Sequence, residues 1–175
     1  MKTGPKYKIC KRLGSGVFEK CQTQRYMLSE ARRSKNRKRG RPRTLSDYGR
    51  QLIEKQKVRF TYGISEKQLV RAVRTVTQKK GIDPALQLYT LLESRLDNVA
   101  YRLGFATTRR FARQLVSHGH VTVNGRKVTI PSFSVSKKEK ISIREGSKKK
   151  TFFALLTGKK EEATIPTWIA FDKKI

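Results

Sequence analysis

Apolar positions in this chain keep helical spacing through its middle and change to alternation further on. After Ser46, Leu52, Ile53 and Val58 recur at helical intervals up to Tyr62, where Gly63 follows. Ser46 with Asp47 supplies the oxygen that the first unpaired N–H groups of a helix need, and a glycine suits its end. A second helix opens at Ser65. Its hydroxyl and the Gln68 amide can each accept from the other's backbone N–H, a capping box. Leu69, Val73 and Val76 form the stripe of this helix and Gly81 its stop. Asp83 before Pro84 starts a third, with Leu88, Leu92, Leu96, Val99 and Leu103 on one face as far as Gly104. A fourth runs from Thr107 or Thr108 to His118, with Gly119 at the C-cap. Phe111 or Ala112, Leu115 and Val116 face inward there, and Arg109, Arg110, Arg113 and Gln114 face outward.

The period then drops to two. Val121-Thr122-Val123 and Lys127-Val128-Thr129-Ile130 flank Asn124-Gly125, a dipeptide suited to a tight hairpin with positive φ. Pro131 stops further pairing, and Lys140 to Ile143 supplies a third short strand. Leu91 to Thr151 therefore reads as one unit of two helices and a small twisted sheet. The rest, Phe152 to Ile175, holds one apolar helical turn and an aromatic end with Trp168 and Phe171.

Charge changes the picture from fold to partner. Of 175 residues, 42 are Lys or Arg and 13 are Asp or Glu, a formal net charge of +29. Such a chain repels itself and calls for a dense anionic partner. Nucleic acid fits best, because each neutralised phosphate also releases counterions. No stretch approaches the roughly 20 apolar residues of a membrane span, and Lys2, Pro5, Lys6 and Lys8 interrupt any secretory signal. No membrane partner is expected, and the location expected is the cytoplasm or the interior of an organelle.

Residues 1–43 show little periodicity and many breakers, so a basic extended segment is expected there. Arg32, Arg33, Lys35, Arg37, Lys38, Arg39, Arg41 and Arg43 follow one another without an acid. Such a run stays unfolded until an anion binds it. Cys10 and Cys21, the only cysteines, are expected as reduced thiols. A zinc site needs two further ligands, and the only histidines, His118 and His120, lie far along the chain, so no metal is expected.

No catalytic constellation emerges. There is no phosphate-binding glycine loop and no pair of histidines at metal-binding helical spacing. Glu93 and Asp97 sit four apart near Arg95 and Arg102, which reads as salt-bridged acids on a helix face. The basic features are more informative. The fourth helix offers free N–H groups at its start and a guanidinium face, both suited to phosphate oxygens. His118 and His120 at its end, and the turn Asn124-Gly125-Arg126-Lys127, extend that surface. A DNA-reading helix-turn-helix is the alternative, but the helices run straight into a sheet and show no dimerisation seam.

Long motifs add a resemblance. Leu92-Glu93-Ser94-Arg95-Leu96-Asp97-Asn98-Val99, Tyr101-Arg102-Leu103-Gly104-Phe105-Ala106, Ala112-Arg113-Gln114-Leu115-Val116 and Gly119-His120-Val121-Thr122-Val123-Asn124-Gly125 closely resemble the S-four RNA-binding domain. Ser46-Asp47-Tyr48-Gly49, Glu54-Lys55-Gln56-Lys57, Tyr62-Gly63-Ile64-Ser65-Glu66 and Pro166-Thr167-Trp168 are similar to the framework of the universal S-four family of small-subunit ribosomal proteins. The resemblance covers Thr44 to Asp172. It implies an α+β protein: a mainly helical domain, residues 44–90 and 152–175, with the RNA-binding domain, 91–151, inserted into it. It also implies a non-enzymatic primary binder of small-subunit ribosomal RNA that nucleates the subunit body and contributes to translational accuracy. Implied partners are ribosomal protein S-five, other small-subunit proteins, and messenger RNA where it enters its channel. The location implied is the ribosome of the cytoplasm, with an organellar ribosome as the alternative. To the RNA contacts named above, these motifs add Lys55, Lys57 and Arg95.

The chain departs from that pattern in three places. Many relatives carry four cysteines in an N-terminal zinc knuckle where this one has two, and no cofactor is expected. The basic run replaces the usual Gly-Gln-His-Gly stretch before Ser46. Relatives also continue past the Trp168 motif, so the surface facing S-five is expected to differ. An RNA-modifying enzyme carrying the same domain is the other reading, but nothing outside 91–151 resembles a catalytic domain.

Overall fold

The computed structural model describes residues 3–35, 45–78, 81, 83–150, 153 and 166–170. They fall into two units, Met1–Val70 and Arg71–Ile175. Among the described residues no helix is long and apolar enough to cross a membrane.

The first unit begins with α1 (Lys6–Leu13), two short 3-10 turns (Ser15–Val17 and Glu19–Gln22) and α2 (Gln24–Lys35). This corrects the expectation of an extended segment over 1–43. The helices escaped notice because α1 is only eight residues long and buries just Cys10 and Leu13, too few positions to set a period. Arg32, Arg33 and Lys35 thus lie in the last turn of a helix. Arg37, Lys38, Arg39, Arg41 and Arg43 lie outside the described residues.

The expected reduced thiols are corrected as well. Cys10 and Cys21 are joined in a disulfide, with their Cα atoms 6.5 Å apart. Both are buried in a small cluster with Tyr26, against which Phe18 packs. Gly14, at φ 107°, takes a backbone conformation that side chains rarely adopt and turns the chain there. The second 3-10 turn then lies against α1 and the two sulfurs meet. Composition speaks only of the redox compartment and carries no trace of that encounter.

Then come α3 (Asp47–Tyr62), with both ends where expected, and α4 (Glu66–Thr77), which starts after Ser65 as expected and ends short of the Gly81 stop. The Ser46 hydroxyl accepts from Gly49 N–H at 3.2 Å, and Gly63 is left-handed at φ 62°. The capping box closes both ways: Ser65 N–H donates to Gln68 Oε1 at 3.0 Å and Gln68 N–H to Ser65 Oγ at 3.3 Å. On α4 the buried stripe is Leu69, Ala72 and Val76, whereas Val73, expected on it, is 40% exposed.

In the second unit the expected single third helix is broken into α5 (Pro84–Glu93) and α6 (Leu96–Arg102). Asp83 caps α5 by accepting from Ala85 N–H at 3.0 Å. The break has a tertiary cause. Leu96 N–H donates to the Phe133 carbonyl at 2.8 Å, Asp97 N–H to that of Pro131 at 3.1 Å, and Val135 N–H to that of Ser94 at 2.8 Å. The loop at 131–135 thus takes over backbone groups that a continuous helix would use. Leu92 and Leu96 keep helical spacing across the break, which hides it from the pattern.

After α7 (Arg109–Ser117) come β1 (Val121–Val123), β2 (Arg126–Lys127) and β3 (Ile141–Ile143), antiparallel in the order β2-β1-β3, then α8 (Glu145–Lys148). Asn124 and Gly125 make the hairpin at φ 50° and 78°. β2 is shorter than the predicted strand to Ile130, because the chain leaves the sheet to bring Pro131 and Phe133 to α6. The core is one cluster, including Leu96, Val99, Ala100, Phe105, Ala112, Leu115, Val116, Val121 and Ile143, and Phe153 joins it.

Candidate nucleic-acid interface

Thr108 starts α7 by accepting from Phe111 N–H at 3.2 Å, and Gly119 at φ 72° follows its C-cap. Ala112, Leu115 and Val116 turn to the core. Arg110, Gln114 and His118 therefore line the solvent side, and all three are exposed. The hairpin adds Asn124, Arg126 and Lys127, also exposed. The Asn124 side chain is partly committed, since its Oδ1 accepts from Lys140 N–H at 2.9 Å.

Beneath this surface lies a polar network built on two acids that are each only 3% exposed, Glu93 and Asp97. Arg95 reaches Asp97 with Nε at 3.1 Å and Nη2 at 2.9 Å. Arg113 reaches the same carboxylate from α7 with Nε at 2.8 Å and Nη2 at 2.6 Å. Arg102 holds Glu93 through Nε at 3.1 Å and Nη2 at 2.9 Å. Asn98 donates to Glu93 Oε2 at 2.8 Å and accepts from Arg109 Nε at 2.8 Å. The Arg109 guanidinium lies 4.5 Å from the Tyr101 ring centroid, a cation–π contact.

The pairing of Glu93 with Arg102 and of Asp97 with Arg95 follows the sequence reading; the engagement of Arg109 and Arg113 does not. Three arginines expected at RNA are thus engaged within the protein: Arg109 and Arg113 tie α7 to α6, and Arg95 binds Asp97 at the start of α6. Two-donor arrangements of this kind fix guanidinium planes. The spacing of Glu93 and Asp97 was the available signal, but the folding of α7 back over α6 was not in it.

In the first unit, Lys55 pairs with Glu66 and Lys57 with Glu54, each at 2.7 Å, and Arg59 also reaches Glu66 at 3.3 Å. The hydrogen bond from Lys55 is the main reason the Glu66 carboxyl lies below its usual range, against the opposing effect of burial. Arg32, Arg33 and Lys35 are exposed, with Arg33 3.7 Å from Glu30.

His120 is half-buried, its Nδ1 2.9 Å from Ser147 Oγ. Burial first, then repulsion from Lys150, His118, Arg144 and Lys127, hold its imidazole below the ordinary histidine range. Arg144, Ser147 and Lys150 were not singled out in the sequence, where basic residues are too common to mark a site. No group of three or more metal-ligating side chains occurs among the described residues.

Comparison with known proteins gives these features a class and then a family. The model of the S4 domain matches residues 94–141, which makes this an S4-domain protein. That of the Ribosomal protein S4/S9 N-terminal domain matches residues 1–93. The chain is 45% identical over 169 residues to small ribosomal subunit protein uS4 of Roseiflexus sp., covering 95% of this chain and 81% of the relative. It is 39% identical over 175 residues to uS4 of Dehalococcoides mccartyi, covering 98% and 84%, and 43% identical over 178 residues to uS4 of Lactiplantibacillus plantarum, covering 97% and 82%. The chain belongs to the uS4 family of small ribosomal subunit proteins.

Proposed function

We propose that this protein is a structural, non-enzymatic constituent of the small ribosomal subunit, binding its ribosomal RNA directly and early enough to nucleate the subunit body. One observation carries the reading. The cations on the outer side of α7 and on the hairpin, Arg110, Arg126 and Lys127, are exposed, on a scaffold in which Arg95, Arg102 and Arg113 are locked onto buried acids. A rigid basic surface loses little conformational freedom on meeting a phosphate backbone. The basic run at 32–43 supplies further phosphate contacts, whereas the α3 lysines, Lys55 and Lys57, are already paired with Glu66 and Glu54. Ribosomal protein S-five, neighbouring small-subunit proteins and messenger RNA entering its channel are the further partners, with an effect on decoding accuracy. The site of action is the cytoplasmic ribosome.

Substituting glutamine for both Arg110 and Arg126 tests the surface. Each contact is a charge-assisted hydrogen bond, so affinity for a small-subunit ribosomal RNA transcript should fall roughly tenfold per site. The melting temperature should stay within about 2 °C, because both side chains are exposed. A folded double variant that binds as tightly as the parent would exclude this face.

A further inference from the structure

The corner where α7 meets the sheet gathers cations of a different kind from those over Glu93 and Asp97. Arg144 N–H donates to the His120 carbonyl at 2.9 Å, tying the end of β3 to the start of β1. Ser147 N–H donates to the Arg144 carbonyl at 2.8 Å, and the buried Ser147 hydroxyl meets the His120 ring. From β2, Lys127 crosses Gly119 so closely that its side chain fills the place a Cβ there would take. His118 packs edge-on to His120, ring centroids 6.1 Å apart, and Phe153 closes the other side at 6.2 Å.

The charges acting on His120 therefore come from His118 after α7, Lys127 on β2, Arg144 before α8 and Lys150 after it. Glu145 opens α8. Among the described residues, Lys127, Arg144 and Lys150 form no ion pair with any acid. By contrast, Arg95, Arg102 and Arg113 are each neutralised from within. A cluster of like charges held together by backbone hydrogen bonds is unfavourable alone and is relieved by an external anion.

We propose that His118, His120, Lys127, Arg144, Ser147 and Lys150 form an RNA phosphate subsite, and that His120 takes up a proton when a phosphate occupies it. This rests on the RNA-binding reading above. In free protein burial first, and then the surrounding cations, disfavour the imidazolium. A phosphate among those cations offsets their repulsion, so the bound form holds the proton to higher pH than the free form. Binding then consumes a proton, and affinity rises as pH falls between the two titrations.

The test is the affinity of the full chain for a small-subunit ribosomal RNA transcript at constant ionic strength, from about pH 8 to pH 6. Each unit by which phosphate raises the His120 pKa allows up to a tenfold gain, and about a tenfold tightening is expected for the parent. His120→Gln should lose most of that slope. Lys150→Gln removes one cation of the subsite and should weaken binding severalfold at pH 8. A flat parent profile, an undiminished slope in His120→Gln, or unchanged affinity in Lys150→Gln would each overturn the proposal while RNA binding stands. Failure of the parent to bind at any pH would instead remove the RNA-binding reading itself.

Discussion

Raising salt from about 50 to 200 mM is expected to weaken binding to small-subunit ribosomal RNA about a thousandfold or more. Each phosphate neutralised by a lysine or arginine releases condensed counterions, so affinity falls as a power of salt concentration. Roughly 6–10 such contacts give a loss of that size. The chain has 42 lysines and arginines, but they do not all count. Arg95, Arg102 and Arg113 already face carboxylates inside the protein, and Lys55 and Lys57 are paired with Glu66 and Glu54. The slope should therefore reflect the exposed cations on α7, the hairpin and the N-terminal run. Equilibrium titration at several salt concentrations measures it directly. A nearly flat response would leave the +29 charge without the role argued for it.

Replacing Asp97 by Ala should destabilise the second unit by about 3–5 kcal/mol. Asp97 is 3% exposed and takes four hydrogen bonds from two arginines. Without it, two guanidinium groups that are 12% and 30% exposed keep their desolvation cost and lose their partner. An intact buried pair adds little net stability, so the loss comes from the stranded charges rather than from a strong bond. For a unit of this size each kcal/mol shifts the midpoint by about 4–8 °C, and thermal unfolding followed by circular dichroism would show a drop of at least 12 °C or so. Glu54→Ala is the control. Its pair with Lys57 is exposed, and its loss should cost under about 1 kcal/mol. Equal effects of the two changes would mean that Asp97 does not organise the helix pair.

What the sequence disclosed was whatever a few neighbouring residues decide. The caps at Ser46, Ser65, Asp83 and Thr108, the left-handed glycines 63 and 119, and the Asn124-Gly125 hairpin each depend on contacts within a handful of positions. What stayed hidden depends on distant ones. The break at Ser94–Arg95 exists because the loop at 131–135 takes the helix's hydrogen bonds. The disulfide exists because a turn at Gly14 folds the chain so that Cys10 and Cys21 face each other. At the interface, charge and helical phase picked out the α7 face, yet Arg109 and Arg113 proved to be engaged by Asn98 and Asp97. Helical phase reports which side a residue occupies, and it says nothing of a partner on the next helix.

The proposed function requires that this protein reside in the small ribosomal subunit through direct contact with its RNA. Sedimentation of native subunits through a high-salt wash tests it most directly. The protein should remain with the small-subunit peak after the wash, at one copy per particle, because it is bound as a structural component and not as a surface adherent. Release into the top fractions, with intact subunits lacking it, would contradict the account.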